Sequence, residues 1–144
     1  DLFTLAATAS ITSADHAGRT LLMGEVGGNA AATFTLPAAT GTGSVFNFVV
    51  SVVNTSNYLV KVADATDTID GQIMITDADG TAATSFVTAA ASDTITLNGT
   101  TTGGGAIGDY VELIDIASNQ YAVSGMVTCA AGSNIATMFS ATVS

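Results

Sequence analysis

Thr33-Phe34-Thr35-Leu36-Pro37 and Thr94-Ile95-Thr96-Leu97-Asn98-Gly99 are the stretches on which the reading of this chain turns. In each, threonine alternates with a large apolar residue until a turn former closes the run. A period of two sends successive side chains to opposite faces of an extended strand. Phe34, Leu36, Ile95 and Leu97 are therefore expected to face a core, and the threonines to face outward. The same period runs through Phe46, Phe48, Val50 and Val52, and again through Ile69, Gly71, Ile73 and Ile75. No window carries capped apolar spacing of i, i+3, i+4, i+7, so helices are not expected.

Strands are predicted over Leu2–Ala6, Arg19–Met23, Thr33–Leu36, Val45–Val53, Tyr58–Ala63, Gly71–Thr76, Thr84–Thr88, Thr94–Leu97, Tyr110–Ile116, Tyr121–Thr128 and Ile135–Phe139. Asp77-Ala78-Asp79-Gly80 suits a tight hairpin turn, and Ser118-Asn119-Gln120 makes a second hairpin between Ile116 and Tyr121. Such short connections predict antiparallel pairing, because parallel strands need crossovers of about a dozen residues or more. Pro37 opens a loop through Gly43, and Gly99 to Gly105 reads as a flexible connection. Neither is long enough to be an interdomain linker. The expected fold is all-β, an antiparallel β-sandwich or small β-barrel. It forms a single domain over residues 11–144, with residues 1–10 as an N-terminal arm or first strand.

Composition narrows the function. The chain has 144 residues and a formal net charge of −10, with two basic residues, Arg19 and Lys61, against twelve acidic ones. Only 10% of its residues are charged, where a typical soluble domain has about a quarter, so much of its surface is Thr, Ser, Asn, Gly and Ala. A surface of that kind suits stable contact with other subunits. Nucleic-acid binding is excluded by the lack of clustered cations for phosphate, and anionic membranes by the same argument. The longest strongly apolar stretch, Val45–Val53, is far short of the roughly 20 residues a spanning helix needs. No basic-then-apolar leader opens the chain, and its first residue is Asp1, so residues upstream are expected.

No catalytic constellation stands out, and no enzymatic activity or cofactor is expected. His16 is the only imidazole, so any triad or metal-histidine mechanism must pass through it. Ser13-Ala14-Asp15-His16-Ala17-Gly18 reads more simply as a turn, because triads are assembled from separate elements. Cys129 is alone, which leaves a buried inert thiol as the simpler reading. Asp64, Asp67, Asp70, Asp77 and Asp79 form the one metal candidate, a calcium site of loop carboxylates. Calcium needs six to eight oxygens, and aspartate as a turn former explains the same spacing. Gly103 to Gly108 lacks the lysine and the following helix of a phosphate loop. Asn54-Thr55-Ser56 and Asn98-Gly99-Thr100 match the glycosylation pattern.

The order Thr33 to Gly43, then the strand through Phe46 and Phe48, then Asp67-Thr68-Ile69-Asp70-Gly71, Ala91 to Gly99 and Gly108 to Leu113 resembles the head decoration, or cement, proteins of tailed bacteriophages. The resemblance covers most of the chain, roughly Thr8 to Ala141, on turn and strand patterns that other β-rich virion proteins share. It implies a β-rich protomer assembled as a homotrimer. Such a protein binds the major capsid protein on the outer surface of the virion head and reinforces the shell. Leu2, Phe3 and Leu5 are the candidate contacts, on a segment able to add a strand to a neighbour's sheet. An ordinary first strand in the same protomer fits them equally. The alternative is a tail-fibre or surface adhesin domain binding host glycans, whose structural correlate is an exposed Tyr58, Tyr110 or Tyr121 cluster.

Overall fold

The computed structural model describes residues 1–6, 8–25, 31–132 and 134–143. Strands β1 (Leu2–Thr4), β2 (Ala9–Ser10), β3 (Thr20–Met23), β4 (Ala32–Thr35), β5 (Val45–Val50) and β6 (Tyr58–Lys61) make the first half. The second half holds β7 (Thr68–Asp77), β8 (Ala83–Val87), β9 (Thr94–Leu97), β10 (Tyr110–Ala117), β11 (Gln120–Cys129) and β12 (Phe139–Ser140). A single helical turn, α1 (Ser13–His16), occupies the segment expected to be a plain turn. Thr12 caps it by accepting the Asp15 N–H, and Gly18 releases the chain at φ 74°.

Two sheets pack face to face. One has seven strands in the order β1-β3-β5-β10-β11-β7-β8, the other five in the order β12-β9-β6-β4-β2. The all-β, single-domain expectation holds, and both hairpins form: β7 pairs β8 and β10 pairs β11, each antiparallel. Purely antiparallel pairing does not hold, because β1/β3, β3/β5, β2/β4, β4/β6 and β7/β11 are parallel. From β3 to β6, each strand joins its sheet parallel to the strand two before it. The chain therefore winds as a flattened coil through both sheets. The crossover rule is still obeyed. Residues 5–19 separate β1 from β3, and residues 24–44 separate β3 from β5. The crossover is made by a strand of the opposite sheet rather than by a helix.

The core lies between the sheets and is built from the inward members of each alternation. Phe34 and Leu36 face Phe46, Phe48 and Val50, with the Phe34 and Phe48 rings 6.0 Å apart across the interface. Ile69, Ile73, Ile75, Val111, Leu113, Tyr121 and Val123 continue it. The face expected to run on to Val52 stops at Val50, where β5 ends, and Val52 is 43% exposed. Thr94, expected to face outward, is fully buried. Its hydroxyl is satisfied by Asp93 and Thr142, which removes the cost of burying it. β12 is shorter than expected, and β2 carried no alternation by which to predict it.

Candidate functional site

The outward members of the same alternations assemble a continuous surface on the seven-stranded sheet. Register aligns Val49, Tyr110, Met126, Met74 and Ser85 in one row across β5, β10, β11, β7 and β8. A second row, one step along, holds Asn47, Glu112, Ser124, Gln72 and Val87. Met126 is 53% exposed, Met74 42% and Val87 71%. Shallow depressions lie on this face. One, of about 240 Å³, is lined by Gln72, Met74, Ser85, Tyr110 and Met126, among others. Another, of about 460 Å³, runs along the β7–β8 margin between Asp70, Gly71, Gln72, Val87 and Thr88. Gln72 belongs to both. Thioethers beside a tyrosine ring make an adaptable apolar contact surface, suited to holding another polypeptide. Neither methionine carried a sequence signal beyond its place on the outward side of a strand, and only the β7–β11 register brings them together.

The acidic residues do something else. Asp115 accepts from the N–H groups of Thr40 and Gly41 and from the Thr42 hydroxyl. Burial pushes its carboxyl upward, but those donors outweigh it and its pKa lies below the ordinary value. Asp109 accepts from Gly104 N–H and from the backbone and hydroxyl of Thr128. There burial wins, and the pKa is raised. Asp67 is buried, with Oδ2 taking the Ala39 N–H at 3.2 Å and Oδ1 without a partner among the described residues. Burial raises its pKa against that one bond, with Asp64 and Asp115 adding to the rise. In a chain with two cations, backbone N–H groups serve as the counterions, and the aspartates staple loops to strands.

This disperses the calcium candidate. Asp64 closes a turn on Thr66, and Asp67 points to the Ala39 loop. Asp70 lies on the outer face with Gln120, while Asp77 turns inward and accepts the Asp79 N–H. Asp70 and Asp77 lie seven residues apart on β7, roughly 23 Å at strand rise, and an odd interval puts them on opposite faces. Among the described residues no three His, Cys, Asp or Glu side chains converge on a point where a metal could sit.

Leu5 is buried in the core, Phe3 packs edge-on against the His16 ring at 4.6 Å, and Leu2 is 67% exposed. Of the three proposed contacts only Leu2 is freely exposed, because β1 pairs with β3 of its own sheet. Arg19 holds Asp1 at 3.1 Å and lies over the Phe3 ring. Cys129 is buried, and burial pushes its thiol upward, away from reactivity. Tyr58 and Tyr121 are core residues whose hydroxyls donate to the carbonyls of Val52 and Pro37. Desolvation raises both, Tyr58 to about 12. Of the three tyrosines, Tyr58 and Tyr121 are buried and Tyr110 is half-buried on the outer face of the seven-stranded sheet.

Both glycosylation matches are structural asparagines. Asn54 is buried, donating to the Leu97 carbonyl and accepting from Ser56 N–H. Asn98 Oδ1 gathers the N–H groups of Thr100, Thr101 and Thr102. Together with Asp109 on Gly104, this pins the Gly99–Gly105 connection that was expected to be flexible, and buries Thr102, Gly103 and Gly104.

Among the described residues no helix is long and apolar enough to cross a membrane. Compared with known proteins, the chain matches no family model, no curated protein and no solved structure.

Proposed function

We propose that this protein is a structural virion protein, a capsid decoration or cement protein. In this reading it binds the major capsid protein on the outer head surface as a homotrimer and stabilises the shell by contact alone, without turnover. The observation that carries the reading is the outer face of the seven-stranded sheet. Met74, Met126 and Val87 stand exposed there beside Tyr110, in a chain where only 10% of residues are charged. Interface centres are depleted in charge and enriched in methionine and aromatics, and the Tyr110–Met126–Met74 row of this face has that composition, with Glu112 in the neighbouring row. The polar residues are consistent with it, since the buried aspartates are occupied as loop staples.

The test is reconstitution. Purified protein is added to expanded capsid shells lacking it, and the particles are imaged by electron microscopy and heated. Regular density on the outer surface and a higher disruption temperature are expected. A monomer that leaves the shells bare would overturn the reading.

A further inference from the structure

Among the described residues four strand edges terminate the two sheets: β1, β8, β12 and β2. An open edge offers unpaired N–H and C=O groups to any extended chain, and proteins blunt such edges with very short strands, charges, proline or bulges. β2 and β12 have two residues each, and β1 has three, flanked by the Asp1–Arg19 ion pair. β8 has none of these protections. Its five residues, Ala83-Thr84-Ser85-Phe86-Val87, are uncharged, contain no proline, and pair with β7 without a bulge. Ladder alternation, set by the bonds Asp77 N–H to Ala82 O and Thr88 N–H to Gly71 O, turns the backbone groups of Ala83, Ser85 and Val87 away from β7. These groups have no hydrogen-bond partner among the described residues.

We propose that β8 is a strand-addition site for an extended, basic segment of a partner protein, which pairs with this edge as an eighth strand and seats a lysine or arginine beside Asp70. Charge selects the occupant. Asp70 lines the groove at the Val87 end of β8, and exposed Asp79 lies in the hairpin turn at the Ala83 end. An antiparallel second copy would bring Asp79 of each chain toward Asp70 of the other and double a net charge of −10. A basic strand meets opposite charge at both ends instead. Main-chain hydrogen bonds to Ala83, Ser85 and Val87 supply the grip. Alternate side chains fall beside Ser85 and Val87, extending the Met126–Met74 and Ser124–Gln72 rows. This inference rests on the capsid-binding reading, of which it names the partner chemistry.

The probe is a seven-residue peptide of alternating valine and threonine with lysine at each end, and a twin with glutamate at each end. Amide shifts of the full chain are followed by NMR during titration. The lysine peptide is expected to move the Ala83, Ser85 and Val87 amides and to bind at least fivefold more tightly than its twin. Ser85→Pro removes an edge N–H that the fold leaves unbonded, and is expected to abolish those shifts. Should that variant lose its fold, Asp70→Asn, on the outer face, is the second arm and is expected to remove the preference for lysine. Absence of shifts on β8, equal binding of the two peptides, or a wild-type dimer dissolved by Ser85→Pro would each overturn the assignment. Bare shells in the reconstitution count against the capsid reading alone. Shells decorated equally by wild type and Ser85→Pro count against the β8 assignment alone.

Discussion

Asp67, Asp109 and Asp115 are all buried, yet their carboxyls shift in opposite senses, because donors and desolvation balance differently. Asp109 and Asp115 have three donor groups each, but desolvation outweighs them only at Asp109, and Asp67 has a single donor. Asp115 has three donor groups and a lowered pKa, so its ionised form stabilises the fold above the ordinary carboxylate range. That contribution is lost as pH falls through its folded value. Asp67 and Asp109 are raised, so the folded state holds protons that the unfolded chain has released. Each costs stability as pH climbs from the unfolded to the folded pKa. Asp115→Asn is expected to cost about 2 kcal/mol at neutral pH and to flatten the acid limb of a urea-denaturation series. Asp67→Asn should gain on wild type as pH climbs above the unfolded carboxylate pKa, the reverse trend, in the same measurement. A glycine makes a sharper test of packing. Gly99 sits at φ 76°, and a Cβ there would lie 2.0 Å from the Asn54 carbonyl oxygen. Gly99→Ala is expected to cost about 3 kcal/mol, read as a lowered thermal midpoint, because backbone must move to admit the methyl.

At the scale of elements, β1 separates an arm from a strand. Leu2 and Leu5 share one short segment, but Leu2 is exposed and Leu5 is sealed beneath the sheet. Leu5→Ala is expected to destabilise the isolated chain by about 2–5 kcal/mol, as a core cavity does, while Leu2→Ala stays within about 0.5 kcal/mol. Equal, negligible effects in thermal unfolding would mean that residues 1–10 are not part of this domain. The hairpins β7–β8 and β10–β11 were legible because their turn residues carry chemistry. Asn119 adopts φ 64° and Gly80 φ 71°, conformations that asparagine and glycine tolerate. The coil of β1 to β6 was not legible, since nothing in a strand's own residues records the direction of its neighbour.

For the whole molecule, the mixed topology has a kinetic consequence. β5 pairs with β10, and β6 with β9, so the sheets close only when segments distant in sequence meet. Loop-closure entropy opposes these pairings before burial rewards them, and refolding from urea is expected on a millisecond-to-second scale by stopped-flow fluorescence. Phe48→Ala, at the centre of the interface between sheets, is expected to cost about 3–5 kcal/mol in equilibrium unfolding.

The sequence by itself determined the β class, nearly every strand, both hairpins and the inward faces, because alternation and turn chemistry are local properties of the chain. It also set the poverty of charge, with two basic residues against twelve acidic ones. Folding alone settled that half the ladders among the described residues are parallel, that the aspartates staple loops instead of gathering round a metal, and that Met74, Met126 and Val87 share a face beside the open edge of β8. Those outcomes depend on register and on which strands become neighbours. Both are settled by burying one face of each sheet against the other, a condition that no short stretch of residues contains.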